Sequence, residues 1–165
     1  NTLKAMNRHY SAEEYFELCK KLRASFPDAT ITTDIMVGFP TESEEDFAEN
    51  VRFAQKIGFE KVHVFPYSPR EGTKAAKMPQ IEKSVKEKRS HIMIEKTEEI
   101  RKKFLESQIG KTVDVLFETR HSDNFVEGYT KNYTPVKVKG EFPCGEISKV
   151  KITAVDGDFC VGEEI

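Results

Sequence analysis

Asp34 and His63 are the side chains whose type and setting most invite chemistry, because each interrupts an apolar, β-branched run. In residues 30–37, Ile31, Thr33, Ile35 and Val37 alternate with Thr32, Asp34 and Met36. In residues 61–67, Val62 and Val64 alternate with His63, Phe65 and Tyr67. Period-two alternation predicts two strands, and helices packed on the aliphatic face would leave Asp34, Met36, His63, Phe65 and Tyr67 together on the other. A solvent face would waste a methionine and two aromatics, whereas a plain core would bury charge at a cost of several kcal/mol unless it is paired. A cavity for a flat ligand, with a few polar groups to orient it, satisfies both constraints. An Asp34–His63 pair that merely joins neighbouring strands satisfies them too, and the residues leave both readings open.

The strand exits add further candidates. Ligands of parallel α/β sheets collect at the carboxyl ends of strands, which here carry Gly38-Phe39-Pro40 and Tyr67-Ser68-Pro69-Arg70-Glu71-Gly72-Thr73. Gly38 would allow close approach to the backbone, and Pro40 sets the chain's exit toward the next helix. Arg70, between Pro69 and Gly72, offers a guanidinium for a carboxylate or phosphate, as does Arg8 in Asn7-Arg8-His9-Tyr10. Each is equally readable as an ordinary turn or a solvated arginine. Cys19, Cys144 and Cys160 are odd in number and widely spaced, which suits neither a disulfide framework nor a C-x-x-C zinc site. They read as small apolar residues, and no iron–sulfur cluster is expected on this chain alone.

The elements that position these groups are legible in outline. Ser11 with Glu14 forms a capping box ahead of Tyr15, Leu18, Cys19, Leu22 and Phe26 at helical spacing, ended by Pro27. Thr41 with Glu44 suggests a second box, opening a helix with Phe47, Val51 and Ala54 inside and Gly58 at its end. About 25 residues separate the two strands, enough for a helical crossover, so the unit is βαβ and the strands are parallel. Gln80 to Gln108 reads as one long helix or two collinear ones. Beyond Gly110, short alternating stretches punctuated by Gly128, Gly140, Gly145, Gly157 and Gly162 predict a small all-β barrel.

The chain has 165 residues, 33% of them charged, and a net charge of −2. That excludes a broad positive field for nucleic acid. No apolar run spans a bilayer and no secretory leader opens the chain, so a cytoplasmic protein without a membrane anchor is expected. Charge is nevertheless segregated: residues 1–60 hold 7 basic and 11 acidic groups, residues 61–110 hold 12 and 7, and residues 111–165 hold 7 and 10. The central basic block, including Lys74, Lys77, Lys83, Lys86, Lys88 and Arg89, is either an RNA-facing helix or a solvated face neutralised by interleaved glutamates. In the barrel, Phe125, Tyr129, Tyr133 and Arg120 offer stacking and phosphate contacts for unpaired bases, against an unfavourable local charge.

Three strings, T-L-K-A-M-N-R-H-Y at 2–10, T-T-D-I-M-V-G-F-P-T-E-S at 32–43 and H-V-F-P-Y-S-P-R-E-G-T-K-A-A at 63–76, occur in an order and spacing that resemble the radical S-adenosylmethionine methylthiotransferases. The H-V-F-P-Y-S-P-R string tilts the resemblance to the branch acting on threonylcarbamoyladenosine in tRNA. I-G-K-T-V-D-V-L-F-E at 109–118 and V-D-G-D-F-C-V-G-E-E at 155–164 are similar to that family's terminal RNA-binding module, the TRAM domain. Many members have Gly and Thr where this chain has Thr41 and Ser43.

The resemblance implies an α/β plus all-β architecture in three parts. Residues 1–78 would be the last part of a partial (β/α) barrel, 79–109 a long connecting helix, and 110–165 an antiparallel TRAM-type barrel. It also implies that Asp34, Met36, Gly38, Phe39, Pro40, Phe65 and Tyr67 border the S-adenosylmethionine pocket. Arg8, Arg70, Arg120, Tyr129 and Tyr133 are its candidate substrate or RNA contacts. The intact parent would hold S-adenosylmethionine and two 4Fe-4S clusters and act on the tRNA anticodon region. This stretch lacks the cluster cysteines, so it is expected to be inactive and free of cofactor by itself, with an open barrel edge prone to dimerise or aggregate. A methylthiotransferase for another tRNA adenosine or a ribosomal protein, or a non-catalytic RNA-binding module, are the alternatives.

Overall fold

The computed structural model describes residues 2–121, 124–141 and 143–165, and the chain divides into two compact units, residues 1–100 and 101–165. In the first unit a short helix α1 (Thr2–Ala5) precedes α2 (Ala12–Ser25), strand β1 (Thr32–Val37), α3 (Glu44–Ile57) and strand β2 (Lys61–Pro66). β1 and β2 pair in parallel, with Asp34 opposite His63, Ile35 opposite Val64 and Met36 opposite Phe65. The aliphatic face packs on helices as the alternation requires. Ile35, Val37, Phe47, Ala54, Ile57, Phe59, Cys19 and Met93 form one buried cluster. A long helix, α4 (Lys83–Glu106), supplies Met93 and continues into the second unit.

Ser11 caps α2 in a reciprocal box with Glu14, as its spacing predicts. The cap of α3 lies two residues later than the T-x-x-E spacing suggests: Ser43 is the N-cap and Asp46 closes the box. The reason is local. Phe39-Pro40-Thr41-Glu42 forms a turn closed by the Glu42 N–H donating to the Phe39 carbonyl at 2.8 Å, so Thr41 is committed to that turn. At the other end of α3, Gly58 is left-handed, and the Arg23 guanidinium donates to the Ile57 and Gly58 carbonyls while pairing with the buried Glu60 carboxylate. A cation at a helix carboxyl end meets both the free carbonyls and the dipole.

The Ser43 box yields a prediction. The Ser43 backbone N–H, its hydroxyl and Thr2 all hydrogen-bond Asp46, holding that carboxyl below the usual carboxylate range. A depressed carboxyl contributes stability above its unfolded pKa of about 3.9 and loses it as pH falls through the native value. Asp46→Asn is expected to flatten the acid limb below about pH 4, and Ser43→Ala to cost about 1 kcal/mol at neutral pH. Urea titrations at the two pH values check both.

The second unit is a closed barrel in the order β3-β4-β5-β7-β6. Its strands are β3 (Thr112–Arg120), β4 (Phe125–Thr130), β5 (Pro135–Lys139), β6 (Ile147–Asp156) and β7 (Phe159–Glu164). Its seams are antiparallel except between β5 and β7, which run parallel. Inward residues Val115, Phe117, Val126, Val136, Val138, Val150, Ile152 and Cys160 fill the interior, and Leu105 from the last turn of α4 joins them. Bulges at Phe117/Thr119 and Ile152/Ala154 supply the extra twist that lets so few strands close.

Candidate functional site

A cleft of about 860 Å³ opens in the first unit between the exposed face of the strand pair, α1, the start of α2 and one side of α3. Asp34, Met36 and Phe65 line it from the strands, and Arg8, His9 and Tyr10 from the segment between α1 and α2. That segment is set by its helix end: the Arg8 N–H donates to the Leu3 carbonyl and the Asn7 N–H to the Lys4 carbonyl, with Asn7 left-handed at φ 59°. This is a Schellman closure, in which asparagine takes the place glycine usually fills. Among the described residues no hydrogen bond or ion pair joins Asp34 to His63. Nor does the Asp34 carboxylate or the Arg8 guanidinium have any other hydrogen bond or ion pair among the described residues, so both can meet a ligand. The cleft offers a thioether and an aromatic ring for an apolar plane, and one group of each charge for its polar ends.

The remaining strand-end candidates lie elsewhere. Gly38, Phe39 and Tyr67 are buried, Gly38 and Tyr67 beside Lys86 of α4, and Pro40, half-buried, opens the turn beside them. The Tyr67 N–H donates to the Val37 carbonyl at 2.8 Å, so both strands do end side by side. β2 stops at Pro66, however, which breaks the alternation and turns Tyr67 away from Phe65 to meet Phe39 edge-on at 5.3 Å. Gly38 is left-handed at φ 74°, and a Cβ there would lie 2.3 Å from Cγ of Lys86. The space beside this glycine is filled by the Lys86 side chain, whose ammonium donates to the Tyr67 carbonyl at 3.1 Å and sits over the tyrosine ring. Arg70 lies in the exposed loop after β2, outside the cleft.

Sequence reasoning missed Glu42, Lys86 and Arg89. Glu42 is 7% exposed and Arg89 4%. Arg89 Nη1 donates to Glu42 Oε1 at 2.7 Å and to the Glu42 carbonyl at 3.1 Å, while Nη2 reaches Glu44 at 2.7 Å. Burial pushes the Glu42 carboxyl up, against the lowering effects of the Gly38 amide and the guanidinium. Two cations of the basic block are thus directed inward. Lys83 pairs with Glu87 and Lys96 with Glu99, as intrahelical spacing allows.

On the barrel, Tyr129 of β4 and Tyr133 of the following turn are 40% and 81% exposed, with ring centroids 6.4 Å apart. Tyr133 adopts φ 60°, an unusual conformation for a bulky residue, held by its N–H donating to the Thr130 carbonyl. The turn therefore presents two rings side by side in water. Arg120 ends β3 at an exposed position.

The cysteines are free: Cys19 and Cys160 are buried and Cys144 exposed. Burial pushes the Cys160 thiol up to about 11 and raises Cys19 as well. A disulfide reagent at pH 8 is expected to label Cys144 at once and the other two only on unfolding, because the thiolate is the reactive species. Rapid labelling of more than one thiol per native chain would contradict the structure. Among the described residues no three His, Cys, Asp or Glu side chains gather as a metal-binding group, and no helix is long and apolar enough to cross a membrane.

Residues 1–54 match the model of the radical SAM superfamily, and residues 106–163 match that of the TRAM domain. The first match falls in the α/β unit and the second on the five-stranded barrel. Among particular relatives, the tRNA-2-methylthio-N(6)-dimethylallyladenosine synthase of Caldicellulosiruptor saccharolyticus is 42% identical over 99% of this chain and 35% of that protein. Two proteins of Bacillus subtilis are similar to nearly the same degree. The dimethylallyladenosine synthase is 38% identical over 99% of this chain and 34% of its own length, and the threonylcarbamoyladenosine tRNA methylthiotransferase is 37% identical over 91% and 35%. The chain thus spans about a third of the length of the curated relatives it matches.

Proposed function

We propose that this chain is the cofactor-wall and RNA-presenting part of a tRNA methylthiotransferase. The observation that carries the reading is a cleft holding Asp34, Met36, Phe65 and Arg8 in the same chain as a small barrel that displays Tyr129 and Tyr133. Its volume falls in the range of small-molecule sites, roughly 300–1,000 Å³. S-adenosylmethionine fits this lining: Met36 and Phe65 would hold the adenine plane, Asp34 would accept from amino or hydroxyl groups, and Arg8 would meet a carboxylate. When bound, that cofactor supplies radical and methyl-transfer chemistry beside iron–sulfur clusters carried elsewhere in the protein. The three cysteines of this chain do not fit a cluster, since two thiols are buried and held protonated. The tyrosine pair would stack on unpaired bases of the tRNA anticodon region, and the activity belongs to the cytoplasm, where tRNA is processed.

The finer reading is threonylcarbamoyladenosine. The H-V-F-P-Y-S-P-R string favours it. The dimethylallyl reading draws on the 42% identity to a synthase of that name. Expressing the full-length protein in a bacterium without either activity, followed by mass spectrometry of tRNA nucleosides, separates them. Methylthio-threonylcarbamoyladenosine is expected. Methylthio-dimethylallyladenosine would replace the finer reading, and neither product would overturn the function.

A further inference from the structure

We propose that Arg89 is a positioning residue for the cleft: through Glu42 it fixes the backbone where β1 leaves the sheet. The proposal rests on the reading that S-adenosylmethionine occupies the cleft. Glu42 lines that cleft, and its Oε1 accepts both the Gly38 N–H at 2.9 Å and Arg89 Nη1 at 2.7 Å. One carboxylate oxygen therefore joins the strand exit to α4. The same guanidinium grips the Glu42 carbonyl and Glu44, so the segment from Gly38 to Glu44 is held at both ends.

One turn earlier on α4, Lys86 performs the matching task at β2. It donates to the Tyr67 carbonyl, and its stem fills the space beside Gly38. Both strand exits are thus fastened to one helix by cations from 47 and 19 residues away in sequence. Stability alone is a poor explanation, because apolar residues of similar volume commonly serve a core as well as a buried ion pair does. What an ion pair adds is direction: a planar fork whose two Nη groups engage three acceptors sets the placement of the turn.

The test uses the full-length protein and compares Arg89→Met, Arg89→Lys, the double variant Arg89→Met/Glu42→Gln, and Asp34→Ala as the cleft control. Equilibrium dialysis of S-adenosylmethionine, thermal melting and hydrogen exchange of the Gly38 amide are measured on each. Arg89→Met is expected to weaken binding about tenfold or more and to speed exchange at Gly38 by a similar factor, a magnitude typical of a lost orienting contact. The double variant should regain most of the melting temperature, since neither partner is left uncompensated. Its affinity should stay about tenfold down, which a merely structural role would not produce, and Arg89→Lys should rescue little, having no fork. If Asp34→Ala weakens binding while the double variant binds like wild type, the positioning role is wrong and the cleft reading stands. If neither substitution changes affinity, the cleft reading has failed and this proposal with it. Should Arg89→Met not fold, the double variant carries the decision.

Discussion

Gly128→Ala is expected to destabilise the barrel by about 3 kcal/mol, the upper end for overpacking a closed interior. The residue lies on the inward side of β4, opposite Phe117 of β3. A Cβ there would stand 2.2 Å from the Leu116 carbonyl oxygen and 2.9 Å from the Phe117 Cα. Those are backbone atoms at a seam, so relief requires parting β3 from β4 next to the Phe117/Thr119 bulge. Gly157 gives the contrast. It is left-handed at φ 57° with open space around it, so alanine there should cost only the conformational penalty, about 1 kcal/mol. Denaturant titration followed by amide exchange on β3 and β4 compares the two. Equal costs would show that the strand approach at Gly128 has been misjudged.

Met93→Ala is the matching lesion in the first unit, with an expected loss of about 3 kcal/mol. Its side chain is fully buried among Ile35, Val37, Phe47, Ala54, Ile57 and Phe59, where α4 covers the aliphatic face of the sheet. Truncation removes apolar area and leaves a void that a sheet and two helices cannot easily close. Met93→Leu keeps the volume and should cost less than about 1.5 kcal/mol. Because α4 also carries Lys86 and Arg89 to the strand exits, Met93→Ala should additionally speed exchange at the Gly38 amide. A large stability loss with Gly38 protection unchanged would separate the packing of α4 from the fastening of the turn.

The contrast between Ser43 and Thr41 shows where local reasoning stops. Both are good caps with an acid three residues on, so propensity does not choose between them. Pro40 in the turn Phe39–Glu42 decides, by engaging Thr41 before the helix begins. Gly38 makes the same point more strongly. Glycine beside a parallel strand's end reads as an opening for a ligand, but the occupant of that space is Lys86, which lies far along the chain on another helix. Tyr67 likewise follows Phe65 by two residues and would share its face had β2 not ended at Pro66.

Periodicity and end signals by themselves determined the parallel strand pair, the aliphatic face that packs on helices, the long helix after residue 80 and the small barrel. Those are short-range properties: alternation, capping and turn chemistry are written within a few residues. Only the tertiary structure decided that Asp34, Met36, Phe65 and Arg8 share a cleft, and that Glu42, Arg89 and Lys86 secure its edge. The Arg89–Glu42 pair alone spans 47 residues. Charged residues carry no periodic signal of being buried, so their partners emerge only when packing brings opposite charges together out of water.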